Sequence, residues 1–326
     1  MPSIQGGGVH QGPAKIVYLD QMQWIYLARA AHGLPSGDPY RPVLQSIRRA
    51  LQSNRIVLPL GGMHYVETSN TGDAGRRQRL AETMAELSCF RTLVDTEVQR
   101  DNELRAALRR AFGESVQVST LEVFGWGSGH AFQSDGKVDL SPFRALLPDA
   151  WSSHEQYKLS SSFSESDRQA AKVHWNRYAK QHVSITQSVD NLFKKNKPTH
   201  EDKAEYLRIE EMAALLDVAL PILIESRVSQ AAVDKVTLEW VSGLLDELPL
   251  TYVFHHLLRG LYDNSEIPRK DSTFADIAAI GQAVVCCDIV VTEKLWGDLA
   301  KRAGLDQRFN VVMLSNLGQL VPLLDA

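Results

Sequence analysis

Four acidic residues, far apart in the chain, occupy positions that a parallel sheet would gather: Asp20, Glu67, Asp276 and Glu293. Asp20 closes the run Lys15-Ile-Val-Tyr-Leu-Asp20. Glu67 lies in the helical pattern after Ile56-Val-Leu-Pro-Leu-Gly-Gly. Asp276 opens Asp276-Ile-Ala-Ala-Ile, and Glu293 follows Ile289-Val-Val-Thr. In open parallel sheets ligands bind outside the carboxyl ends of the strands. Carboxylates crowded at such an edge repel and cannot all ionise cheaply. A hard divalent cation, Mg2+ or Mn2+, relieves that repulsion and takes oxygen ligands. The chemistry expected of such a site is phosphodiester hydrolysis. Two cations roughly 3.5–4 Å apart activate water, neutralise phosphate oxygens and stabilise the leaving oxygen.

Each acid also has a plain structural reading. Asp20 suits an N-cap, and Thr273-Phe-Ala-Asp276 matches a capping box. Glu293 complements a helix macrodipole, and Glu67 reads as an exposed helix acid. The case for a site rests on their convergence. Asp271, just ahead of the Asp276 helix, is a reserve ligand. Asp288 precedes the strand that ends at Thr292; four residues at about 3.3 Å each put it roughly 13 Å away, at the wrong edge. It reads as structural, as do His255 and His256. His64, one turn before Glu67, faces the site on helical spacing but is a weak signal alone.

These residues need elements to position them. Residues 15–20 read as a buried strand, followed by a helix over 21–31 with an apolar stripe at Trp24, Ile25, Leu27 and Ala28. A turn at 33–37, a helix over 42–52 and a strand over 55–60 follow. Gly61-Gly62 then turns the chain into the Glu67 helix, with a further helix over 74–87 and a third strand over 89–94. From 96 to 267 helical patterns dominate, for example 167–193, 200–220 and 233–248. Alternation returns with a helix over 274–285, strand 289–292, helix 294–303, strand 310–314 and helix 316–324. The pattern predicts an α/β fold, a parallel sheet flanked by helices with an α-helical insertion. The expected organisation is a disordered lead over 1–14, a discontinuous α/β domain over 15–95 and 268–326, and an all-helical insertion over 96–267.

The bulk composition, 44% hydrophobic and 23% charged over 326 residues, is that of a globular chain. A formal net charge of −4 excludes a broadly basic nucleic-acid coat but leaves room for local patches. Cys89, Cys286 and Cys287 form no disulfide framework, which points to a reducing cytoplasm. No apolar run approaches the roughly 18 residues of a membrane helix, so no membrane partner is expected.

The set Val17-Tyr-Leu-Asp20, Glu67, Asp276-Ile-Ala-Ala-Ile and Ile289-Val-Val-Thr-Glu293 resembles the PIN domain, a small Rossmann-like α/β nuclease fold. The resemblance covers about the first 95 and the last 60 residues. It implies that Asp20, Glu67, Asp276 and Glu293 are the metal-holding catalytic acids of a Mg2+- or Mn2+-dependent nuclease. Many members carry Thr-x-Asp at the last site, whereas Thr292-Glu-Lys294 places its acid one position earlier. PIN enzymes typically cut single-stranded RNA, so RNA is the expected partner. A DNA flap-type nuclease, a catalytically weak module binding RNA or protein, and a phosphohydrolase remain alternatives, and a homo-oligomer stays open. Arg76, Arg77, Arg79, Lys194, Lys195 and Lys197 are candidate phosphate contacts, although such runs are more often solvated helix faces. Phe124-Gly-Trp-Gly-Ser-Gly-His130-Ala-Phe132 reads as a buried turn in preference to a base-stacking surface.

Overall fold

The computed structural model describes residues 14–113, 115–118, 122–132, 143–161, 189, 192–193, 195–196, 198–234, 236–264, 267 and 270–325. The expected lead, most of the helix expected over 167–193, and Lys194 and Lys197 lie outside the described residues, as does the side chain of Asp271.

The chain divides into two compact units. The first holds the described residues up to Asp95, those of Phe124–Ser166 and those from Cys286 onward. The second holds those of Thr96–Val123 and Asp167–Val285. This division differs from the expected boundaries in two places. The described residues of 124–161 belong with the sheet, because helix Pro148–Ser160 buries Trp151 and Leu159 in the sheet unit's core. The helix Asp271–Cys286 belongs, up to Val285, with the helical unit, where Gln282 Nε2 donates to Gln99 Oε1 at 3.0 Å.

The first unit is an α/β fold. Strand β1 (Lys15–Leu19) continues through Asp20 into helix α1 (Gln21–Ala31), which buries Trp24, Leu27 and Ala28. Helix α2 (Arg41–Gln52) leads to β2 (Ile56–Val57), then α3 (Gly62–Asn70), α4 (Ala74–Ser88) and β3 (Arg91–Leu93). Later segments add β4 (Phe124–Trp126), β5 (Ile289–Val291) and β6 (Val312–Leu314). A four-stranded sheet has the order β2-β1-β5-β6 with all pairs parallel; Val17 pairs with Ile289 and Leu19 with Val291. Parallel strands are covered on both faces and read as continuous apolar runs, and Val17, Tyr18, Leu19, Ile289, Val290 and Val291 are all buried. Beyond β2 the chain reaches Leu60, which makes a parallel bridge to Thr92 of β3.

β3 corrects the expectation of a third strand over 89–94. It is three residues long and its strand partner is β4, antiparallel, with Arg91 opposite Trp126 and Leu93 opposite Phe124. Cys89 (φ 48°) and Phe90 (φ 58°) both adopt left-handed backbone, so the chain turns sharply at the end of α4 and starts the strand late. β4 lies in the region expected to be all-helical, where Gly125 lets the strand pack closely on His130.

The second unit is helical among its described residues. Its principal helices are Thr96–Phe112, His200–Glu225, Leu238–Glu247, Pro249–Asp263 and Asp271–Cys286. Leu104, Leu108, Leu215, Ile222, Leu223, Val241 and Leu244 form a core among them. Among the described residues no helix is long and apolar enough to cross a membrane.

Candidate functional site

The strand order reverses beside β1. After β1 the chain builds β2 on one side, and the later strands β5 and β6 on the other. The crevice between the carboxyl ends of β1 and β5 is therefore the topological switch point, where open α/β sheets bind ligands. Asp20 follows β1 there, and Thr292 and Glu293 follow β5.

Asp20 joins the two strand ends. Its backbone N–H donates to Val291 O at 2.9 Å. Its carboxylate accepts from Gln21 N at 2.7 Å (Oδ1) and from the Thr292 hydroxyl at 2.9 Å (Oδ2). The Glu293 backbone N–H is a third donor. The main chain of Asp20 is extended (φ −64°, ψ 157°), the geometry of an N-cap. Burial pushes the carboxyl above its ordinary value, and the bonds from Thr292, Gln21 and Glu293 pull it back down.

A second clamp holds the same segment from α3. His64 is buried. Its Nδ1 accepts from Gly61 N at 2.8 Å, so Nε2 carries the proton and donates to Leu19 O at 2.9 Å. Burial lowers its pKa to about 4, with the Leu19 carbonyl pulling the other way. One turn on, the Thr68 hydroxyl accepts from Gln21 Nε2 at 3.1 Å. Glu67 lies between these anchors, half-buried on α3. His64, a weak signal in the sequence, thus fixes the backbone immediately before Asp20. Thr292 was legible only as the residue ahead of Glu293; its hydroxyl is the direct partner of the site's central carboxylate.

The remaining expected residues divide between the two units. Glu293 is exposed at the N-terminus of helix Lys294–Arg302. Asp276 is half-buried on helix Asp271–Cys286 of the second unit. Asp20, Glu67 and Glu293 belong to the first unit, Asp276 to the second. Asp288 sits at the amino end of β5, where its carboxylate accepts from Ile16 N at 2.7 Å. Among the described residues no group of three or more His, Cys, Asp or Glu side chains could hold a metal ion. An ionised carboxylate has about four acceptor sites, and Asp20 has three taken, so the residues do not form a ready-made cation cage. Magnesium, however, is commonly held by one or two carboxylates together with substrate phosphates.

The basic candidates also divide. Arg77 is committed to main-chain carbonyls: Nη1 donates to Thr71 O and to Gly72 O (3.1 Å), and Nε to Ser160 O (3.3 Å). Arg76 is exposed at the start of α4 beside its cap Asp73, and Arg79 is half-buried near the same carboxylate. Lys195 is exposed.

Comparison with known proteins gave no match: no family model matches the chain, nor does any curated protein or solved structure.

Proposed function

We propose that this chain is a PIN-like, Mg2+- or Mn2+-dependent endoribonuclease of the cytoplasm, with Asp20 at its centre. The observation that carries this reading is the placement of a half-buried carboxylate at the switch point, tied to both strand ends by Thr292, Gln21 and Glu293. Asp20 orients and accepts, and Glu67 and Glu293 of the same unit supply further oxygen donors; Asp276 is assigned to the set of acids by resemblance alone. A divalent cation entering with the substrate phosphate would supply charge neutralisation. Asp271 is the reserve donor. A specific observation favours a second reading, a catalytically weak module that binds RNA or protein: three donors already engage Asp20, and no three-residue ligand group exists among the described residues.

The test is cleavage of matched single-stranded RNA, single-stranded DNA and DNA flap oligonucleotides in Mn2+, in EDTA, and with Asp20→Asn. The nuclease reading expects RNA to be cut internally, no product in EDTA, and a loss of at least about 100-fold in the variant, equivalent to about 3 kcal/mol of transition-state stabilisation. Asp20→Asn keeps the volume and one acceptor, so melting should stay within a few degrees. Preferential cutting of flaps transfers the assignment to DNA. A variant cutting at the wild-type rate removes Asp20 from the chemistry, and binding without cutting selects the second reading.

A further inference from the structure

We propose that the β3–β4 ribbon is a stacking platform for single-stranded nucleic acid, built from Trp126, Phe124, Arg91 and Arg144. The proposal deepens the nuclease reading and rests on it for the class of ligand.

On a strand, successive side chains point to opposite faces. On β4 this puts Gly125 on one face and Phe124 with Trp126 on the other. Gly125 is buried against His130; a Cβ there would lie 2.4 Å from the imidazole. The segment expected as a buried turn is thus strand Phe124–Trp126 followed by the short helix Gly127–Ala131. Phe124 and Trp126 are only half-buried. Arg91, opposite Trp126 in the ladder, carries its guanidinium 4.1 Å from the indole centroid and 6.0 Å from the Phe124 ring. Arg144 brings a second guanidinium to 4.7 Å from the same indole. Arg144 is exposed and has no carboxylate partner among the described residues.

Two cations on one half-exposed indole suit a ligand that presents both flat π-faces and negative charge. Bases stack on aromatic rings and guanidinium planes, and phosphates take bidentate bonds from arginine. Trp126 also packs against the first unit's core, which anchors the ring while its outer part stays accessible. The ribbon is also rigid, as a platform must be. Gly127 N donates to Phe90 O at 2.8 Å, the Thr92 hydroxyl to Gly127 O at 3.3 Å, and Ser128 N to the buried Glu155 carboxylate at 2.6 Å.

Its position fits a strand running toward Asp20. Lys15 pairs with Ile56 and Ile16 with Val57, which puts Leu60 level with Leu19 when the register is continued. Leu60 bridges Thr92, and Leu93 pairs with Phe124. Continued in this way, the register sets Phe124 roughly level with Asp20 and about three strand spacings across, about 14 Å, from the four-stranded sheet to the separate β3–β4 ribbon. A short stretch of extended single strand covers that span.

The test is fluorescence anisotropy with a labelled uridine oligonucleotide in EDTA, so that binding is read without cleavage. Trp126→Leu and Arg144→Glu are compared with the wild type, with Arg302→Ala as an exposed-arginine control. Trp126→Leu should weaken binding about 10-fold, the loss of one stacked base. Arg144→Glu should weaken it about as much and flatten its salt dependence; Arg302→Ala should have little effect. Arg144 is exposed, so its variant keeps the test valid if Trp126→Leu fails to fold. Equal binding of a DNA oligonucleotide supports the platform, since stacking is indifferent to the sugar. Unchanged affinity in the Arg144 variant, no binding by the wild type, or a duplex competing as well as the single strand overturns it. Binding that both variants weaken, in a wild type that never cuts, supports the platform and removes the nuclease reading.

Discussion

The His64 clamp makes a quantitative prediction about stability and pH. The imidazole is buried and bonded through both nitrogens, and its pKa falls from 6.5 to about 4. A base whose folded pKa is depressed contributes stability fully present above its unfolded pKa and lost as pH falls through its folded pKa. For His64 that window runs from about 6.5 down to about 4. A tenfold change in proton affinity is worth about 1.36 kcal/mol, so the loss is about 2 kcal/mol by pH 5 and about 3 kcal/mol by pH 4. The perturbation is His64→Gln, which carries no titrating group. It leaves Gly61 N or Leu19 O without its partner, at a cost of about 1–3 kcal/mol near pH 7.5. The wild type should therefore be the more stable protein at pH 7.5, and its advantage should shrink by about 2 kcal/mol at pH 5. Urea unfolding of both proteins at the two pH values measures this. Other titrating groups, such as the buried His255, are present in both and cancel in the difference. A wild-type advantage that stays constant within about 0.5 kcal/mol between the two pH values would show that His64 is not a buried neutral clamp, because protonating such a group must cost stability.

Two further outcomes concern other parts of the molecule. Glu211 is buried in the helical unit, and burial, opposed by the nearby Arg100 charge, pushes its carboxyl up to about 7. An acid with a raised folded pKa gives stability that is full below about 4.5 and lost as pH rises through about 7. Glu211→Gln should thus melt higher than the wild type at pH 8, by an amount equivalent to about 2–3 kcal/mol, with the gap closing at pH 5; an equal gap at both refutes it. Gly37 packs on the end of α1, where a Cβ would lie 2.3 Å from Ala30 N and from the Arg29 carbonyl carbon. Backbone cannot yield as a side-chain tip can, so Gly37→Ala should cost about 1–3 kcal/mol in thermal unfolding. Gly72→Ala, with nothing within 4 Å of the added carbon, is the control; equal melting of the two variants would refute the packing argument.

Much of the sheet was legible in the sequence. The apolar, β-branched runs at 15–20 and 289–292 are strands because their side chains pack on both faces of a parallel sheet, and an acid or threonine closing such a run marks its carboxyl end. Asp288 was correctly sorted to the other edge by counting residues along β5, since strand rise is nearly constant. Periodicity also identified the helices around Trp24 and Leu244, because burial of one face repeats every turn. Each of these readings depends on stereochemistry and solvation within a few residues.

Other features needed the folded chain. Nothing local says that β5 lies beside β1, so that Thr292 reaches Asp20 across 272 positions of sequence. Nothing local makes His64, and not another histidine, the partner of Leu19 O. The expected strand over 89–94 shortened because two left-handed residues turn the chain before it. The glycine-rich stretch 124–132 became strand Phe124–Trp126 followed by the short helix Gly127–Ala131, with Gly125 packed under His130. The helix bearing Asp276 joined the helical unit because packing against Thr96–Phe112, through Gln99 and Gln282, is a long-range choice that its own capping pattern does not encode. Sequence alone determined the buried strands β1 and β5, most of the helices and the acids that follow those strands, since those depend on short-range sterics and hydrophobic period. Tertiary structure decided which strand ends meet, which unit holds each acid and which buried groups clamp the site, because these follow from contacts between residues remote in the chain.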